Sequence, residues 1–247
     1  MTTELVYGVH PVEEALRAGR RKLVEVVLAK GAKEGTVAGV RYLAEKRRVP
    51  VRFVGPGFWK AARLERQPAA LKAGPLPETD VEGLLQAVSR AGGPGLVLLL
   101  DRVADPQNLG ALARSALCAG AHGLVLAKRR SAPLSPAASK ASAGALEHVL
   151  VARAPNLVRA VERFKENGYW VFGADAAGGR TIWEADFSTP VVLCIGAEGR
   201  GLSRLLAERC DFLVRIPQKG PVASLNASAA GAVLLFEAAR QRRRFAE

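Results

Sequence analysis

Short, largely apolar runs alternate with amphipathic stretches over most of this 247-residue chain. Runs at 96–100, 123–126, 169–172, 191–195 and 212–216 read as strands separated by segments of helical character. Strands that are apolar on both faces imply a parallel sheet covered by helices on each side, so this part is expected to be α/β. A last helix, about 225–242, has Ala and Leu at packing positions and ends near Arg240, Arg242, Arg243 and Arg244, which either touch a ligand or complement the helix dipole. At the front, a helix from Pro11, a strand at 23–29, a helix at 36–46 and a strand at 49–54 suggest a small α/β sandwich. Between the two, Pro68, Gly74, Pro75 and Pro77 with few large apolar residues read as a stiffened linker. The expected organisation is a small domain at 1–67, a linker at 68–79 and a larger domain at 80–247.

Charge adds a partner to this picture. The net charge is +13, and residues 1–67 hold 14 Lys or Arg against 7 Asp or Glu. A field of that sign gathers polyanions, so nucleic acid is the first partner to expect, and Arg20, Arg21 and Lys22, in a loop between helix and strand, are candidate RNA contacts. No apolar run approaches the length of a membrane span, and the first ten residues lack an export signal, so no membrane association and a cytoplasmic location are expected. Cys118, Cys194 and Cys210 are too scattered for a disulfide framework or a zinc site, and each is expected as a buried, reduced thiol. His10, His122 and His148 have no metal spacing, so no metal is expected.

Candidate chemistry gathers where predicted strands end. The first strand of the large domain runs into Asp101-Arg-Val-Ala-Asp105-Pro106-Gln107-Asn108-Leu109-Gly110, followed by a helix displaying Arg114. The strand at 191–195 runs into Gly196-Ala-Glu198-Gly199-Arg200-Gly201-Leu202-Ser203, whose glycines allow backbone to approach a ligand; its G-x-x-G-x-G order is not the dinucleotide fingerprint. The strand at 212–216 leads through Pro217-Gln218-Lys219-Gly220-Pro221-Val222-Ala223-Ser224-Leu225-Asn226 into the last helix. Taken singly, Asp105-Pro106 makes a turn and Asn108, Ser224 and Asn226 serve as helix caps. Taken together, three polar, glycine-bearing junctions at strand ends mark an α/β ligand site.

These three segments closely resemble the signature motifs of the SpoU family of RNA ribose 2′-O-methyltransferases. Tyr7-Gly8-Val9-His10-Pro11-Val12-Glu13-Glu14-Ala15-Leu16 is similar to the start of that family's ribosomal-protein-like RNA-binding extension. Gln218 stands where the family often has Met, and Ala227 where Val is common. The resemblance implies a deep trefoil knot in the C-terminal part, which general topology rules would not suggest. It implies S-adenosylmethionine held by backbone at Gly196, Gly201, Ile216, Gly220 and Leu225, with Asn108, Arg114, Glu198, Ser224 and Asn226 as the polar active-site set. Arg114 would position hydroxyl and phosphate, since a guanidinium is a poor base, and Glu147 would lend more distant support. A homodimer and a guanosine of large-subunit ribosomal RNA are further implications. The alternatives are a transfer-RNA ribose methyltransferase and a non-catalytic ribosome-assembly protein that merely binds RNA.

Overall fold

The computed structural model describes residues 2–219 and 225–242. In chain order the elements are β1 (Glu4–Tyr7), α1 (Val9–Ala18), β2 (Leu23–Ala29), α2 (Glu34–Lys46), β3 (Val51–Val54), α3 (Pro56–Ala61) and β4 (Ala69–Ala73). They continue with α4 (Val81–Ala91), β5 (Leu96–Leu100), α5 (Pro106–Cys118), β6 (Gly123–Ala127), α6 (Pro136–Ala141) and β7 (Leu150–Ala154). The remainder is α7 (Leu157–Glu166), β8 (Trp170–Ala174), β9 (Arg180–Thr181), β10 (Val191–Ile195), α8 (Arg204–Ala207), β11 (Phe212–Arg215) and α9 (Ala227–Gln241). The chain divides into two compact units, one up to Pro77 plus Leu134–His148, the other Glu78–Pro133 plus Val149 onward.

The first unit is built on a four-stranded mixed sheet in the order β1-β4-β2-β3. Two of its strands escape the periodicity argument. β1 is short, and β4 lies inside the segment expected to be a linker, yet it pairs antiparallel with both β1 and β2. The reason is packing: Ala69, Leu71 and Ala73 are fully buried with Val26, Leu28 and Leu16, so small side chains fill the centre of the sheet despite their weak strand signal. Thr79, at the end of the expected linker, bridges to Ala152 in the second unit. No free-standing linker therefore spans 68–79.

A second departure concerns residues 134–148, which sequence reasoning assigned to the large domain. Arg21 explains their place in the first unit. Its side chain is fully buried, as is that of Glu147, and the guanidinium Nε donates to Glu147 Oε2 at 2.8 Å and Oε1 at 3.0 Å. It also donates to Ser139 Oγ at 3.2 Å and the Gly74 carbonyl at 3.2 Å, and pairs with Glu4. Burial alone would lower the Arg21 pKa, but the hydrogen bonds and charges of Glu147 and Glu4 outweigh it and hold the guanidinium above its ordinary value. Arg20 donates to the Glu147 carbonyl, while Lys22 stays exposed. Arg21 is thus withdrawn from the RNA-contact role expected of it, and Glu147 is a structural anchor rather than a support of the active site.

The second unit carries a seven-stranded sheet in the order β7-β6-β5-β10-β8-β11-β9, with every pairing parallel. β5 and β10 are adjacent and buried along their whole length, as their unbroken apolar sequences require. From β5 the chain first moves outward through β6 and β7, then returns to fill the other side, so the loops leaving β5 and β10 part company. That switch of direction opens a crevice at the carboxyl ends of the strands. α9 closes over it by packing on α5. Gly231 permits the approach, because a Cβ there would stand 2.2 Å from Leu112 Cδ2. No described helix is long and apolar enough to cross a membrane.

Candidate active site

Helix caps place the polar residues that α5 and α9 bring to the crevice. After β5 the chain turns into α5 at Asp105, whose carboxylate caps the helix by accepting from Gln107 N–H at 3.0 Å, with Pro106 at the first helical position. The cap is Asp105, which frees the Asn108 side chain in the first turn. Asn226 caps α9, accepting from Ser228 N–H at 2.8 Å and Ser228 Oγ–H at 2.6 Å. Its Nδ2 simultaneously donates to Glu198 Oε2 at 3.0 Å and Asn108 Oδ1 at 3.1 Å, and Asn108 Nδ2 donates to the same Glu198 oxygen at 3.4 Å. Three residues spread over 118 positions of sequence thus form one hydrogen-bonded cluster.

Beside the cluster lies a cleft of about 320 Å³ lined by the loop Gly196–Gly201, the ends of β8 and β11, and the start of α9. Gly196, Gly201, Ile216 and Leu225, expected to meet a cofactor, all line it, together with Glu198, Asp175 and Gln218. Gly220 and Ser224 lie outside the described residues. A Cβ at Gly196 would stand 2.0 Å from the carbonyl carbon of Gly201, so the tight fold-back of this loop excludes every other residue there. A cleft of this size with an apolar floor of Ile195, Val214 and Ile216, and with carboxylates at Asp175 and Glu198, fits a nucleoside bearing a sulfonium.

Sequence reasoning missed what holds the loop. Asp101, only 4% exposed at the end of β5, accepts from Ser203 N–H at 2.6 Å. Arg102 stands 3.4 Å from the Asp101 carboxylate and donates to the Gly201 carbonyl at 3.1 Å, in a left-handed backbone conformation at φ +58°. The only sequence cue is position, directly before the polar junction.

Arg114 is not part of the cluster. It lies six residues beyond Asn108, about 9 Å along α5 and on another face. There it is exposed, with no hydrogen-bond or ion-pair partner among the described residues. Cys118, on the same face, is exposed rather than buried, while Cys194 is buried and Cys210 half-buried. Leu117 of α5 at 38% exposure, and Val233 and Phe236 of α9 at 39% and 40%, are also partly exposed.

Two family models match the chain. One describes the SpoU rRNA methylase family and spans residues 95–236, containing all three strand-end segments. The other describes the substrate-binding domain of RNA 2′-O ribose methyltransferases and spans residues 5–56. The chain belongs to the SpoU family. It is an RNA 2′-O-ribose methyltransferase that uses S-adenosylmethionine, and the family implies that the strands around the cleft are knotted. A 23S rRNA (guanosine-2′-O-)-methyltransferase, RlmB, of Pseudomonas putida is 37% identical over 97% of this chain and 96% of its own length. An uncharacterized tRNA/rRNA methyltransferase of Mycolicibacterium gilvum is 41% identical over 98% of this chain and 77% of its own length. The SpoU methyltransferase AviRb of Streptomyces viridochromogenes, crystallised with AdoMet, superposes with a TM-score of 0.82 at 28% identity, covering 98% of this chain and 91% of that one.

Proposed function

We propose that the chain methylates the 2′-hydroxyl of a guanosine in large-subunit (23S) ribosomal RNA, acting in the cytoplasm as a homodimer. The observation that carries the catalytic reading is the Asn108–Glu198–Asn226 cluster at the mouth of the cleft. The name of the Pseudomonas relative, matched nearly end to end, supports guanosine of 23S rRNA as the target.

S-adenosylmethionine supplies an electrophilic methyl group on a sulfonium. Gly196, Gly201, Ile216 and Leu225, which line the cleft, would hold it chiefly through main-chain groups, with Gly220 assigned to the same task by motif. The remaining task is alignment of a ribose oxygen and stabilisation of the charge that develops as its proton leaves to water. Glu198 acts by fixing the two amides: with both Asn side chains donating to its carboxylate, each keeps one orientation. Asn108 and Asn226 then orient the nucleotide, and Ser224 belongs to the same set by its place in the motif. Arg114 stays protonated and positions hydroxyl and phosphate, lowering the energy of the developing alkoxide.

Pairing of two copies is supported by the partly exposed apolar side chains Leu117 of α5 and Val233 and Phe236 of α9, on two helices that pack together, since apolar surface left in water is unfavourable. Arg114 lies one turn from Leu117 on α5, so pairing through that helix face would bring it near the partner copy.

Incubation with radiolabelled S-adenosylmethionine and unmodified 23S rRNA, followed by nuclease mapping, tests the assignment. Label on a single guanosine ribose is expected. Label appearing only on transfer RNA would overturn the ribosomal assignment, and cofactor binding without transfer to any RNA would overturn the catalytic one. Arg114→Ala should lower methyl transfer by about 100-fold or more, the scale of removing one transition-state donor, with cofactor affinity kept.

A further inference from the structure

Outside the cluster and cleft, the feature of the second unit that is built but has no assigned task is the loop 128–133 after β6. Its backbone is tied down on three sides. Lys128 N–H donates to the Ala154 carbonyl at 2.9 Å, and Ala132 N–H donates to the Val103 carbonyl at 2.8 Å, joining it to the turn that leads to Asn108. Arg153 reaches under it, donating to the carbonyls of Ala127 at 3.2 Å and Ala132 at 3.1 Å and to Ser131 Oγ at 2.6 Å. Ser131 Oγ–H in turn donates to the Ala127 carbonyl at 2.6 Å, and Glu78 fixes Arg153 from the other side at 2.9 Å. Arg153 is thereby consumed as scaffold.

What the scaffold presents is three consecutive cations. Lys128, Arg129 and Arg130 are all exposed, and none of their side chains has a hydrogen-bond or ion-pair partner among the described residues. Arg130 is held in the left-handed region at φ +59°, an arrangement that costs an arginine about 1 kcal/mol and persists only where surrounding structure enforces it. Charged side chains on a flexible tail need no such support. The strand order places the loop two strands from β10, roughly 10 Å across the same carboxyl edge of the sheet as the cluster. The exposed carboxylate at the adjoining turn, Asp105, is engaged in capping α5.

We propose that Lys128, Arg129 and Arg130 form a phosphate-binding platform that grips the RNA strand next to the modified nucleotide, so that the catalytic unit contributes its own substrate affinity. The inference rests on the RNA-methylating reading and assigns part of its substrate contact. A rigid row of unpaired cations suits a phosphodiester backbone, which carries charge at every nucleotide and whose capture releases counterions. The platform would position the strand without reading bases.

The test is a salt series of binding to an unmodified 23S rRNA transcript, comparing wild type with Lys128→Ala/Arg129→Ala/Arg130→Ala. The slope of log affinity against log salt should fall by about 2 in the variant, with affinity near 0.15 M salt down by roughly tenfold or more. S-adenosylmethionine affinity and melting temperature should match wild type, and the charge-preserving Lys128→Arg/Arg129→Lys/Arg130→Lys should keep the full slope. A folded, cofactor-binding triple-alanine variant with wild-type slope and affinity would overturn the platform. Methyl transfer by the wild type is read in parallel. RNA binding without transfer defeats the catalytic reading and leaves the platform decided by the slopes, whereas no RNA binding by the wild type defeats both.

Discussion

At the scale of single residues, the cleft depends on groups that hold its lining loop in place. Asp101 satisfies Ser203 N–H and sits beside Arg102, which holds the Gly201 carbonyl, so the loop lining the cleft is fixed from the neighbouring strand. Asp101→Ala should weaken S-adenosylmethionine binding by roughly tenfold, the equivalent of about 1.4 kcal/mol for a lost buried acceptor. Asp101→Asn, which still offers an oxygen to Ser203, should restore most of it; calorimetric titration distinguishes the two. A different residue-scale effect belongs to the first unit. Removing either Glu147 or Arg21 alone strands a buried charge and should cost about 3–5 kcal/mol by denaturant unfolding, whereas Arg21→Met with Glu147→Leu should cost less than either single change. If the double change were the sum of the singles, the pair would not be coupled.

At the scale of elements, the C-terminal end of α9 is tied to the 181–188 turn by side chains. Gln241 accepts from Phe187 N–H at 2.6 Å and donates to the Ala185 carbonyl at 2.9 Å, and Arg242 donates to the carbonyls of Phe187 and Thr189 at 2.7 and 2.6 Å. Three carboxylates in this region lie below their ordinary pKa values. Hydrogen bonds from Arg240 and Gln241 lower Glu237, the Ser188 hydroxyl and N–H lower Asp186, and the Thr181 N–H and hydroxyl lower Glu184. A depressed folded pKa contributes stability above the unfolded value, ordinarily 4.5 for Glu and 3.8 for Asp, and that contribution is lost as pH falls through the folded value. Melting temperature should therefore decline on acidification below about pH 4.5, and Glu237→Gln should show a shallower decline than wild type. Equal slopes would mean that α9 is held chiefly by its apolar face. Element legibility follows the same divide: the buried strands β5 and β10 were readable because both faces are apolar, whereas β1 and β4 were not, being short or built from alanines whose place depends on partners.

At the scale of the whole molecule, the partly exposed apolar side chains of α5 and α9 bear on assembly. In the proposed dimer, Phe236→Glu should shift sedimentation equilibrium at micromolar concentration towards monomer and lower methyl transfer with it, since Arg114 and Leu117 lie one turn apart on the α5 that packs against α9. A wild type that sediments as a monomer would remove the dimer from the proposal and leave the cluster intact. The division into two units was legible in outline from the concentration of charge in the first quarter of the chain. Its boundary was not, because Pro and Gly in 68–79 signal turns without revealing that Ala69–Ala73 is a strand between them.

The sequence by itself determined the α/β class, the main buried strands, the three polar junctions and, through their resemblance, the family and its chemistry. These rest on local pattern: periodicity, turn residues and motif order are properties of neighbouring positions. Only the tertiary structure decided that Arg21 and Glu147, 126 residues apart, annul each other in the interior. It alone put 134–148 in the first unit, joined Asn108, Glu198 and Asn226 while leaving Arg114 on another face, and made Asp101 the tether of the loop that lines the cleft. The reason is common to all of them: whether a charged side chain meets water, substrate or an opposite charge is set by which distant segments pack against it, and no local periodicity carries that information.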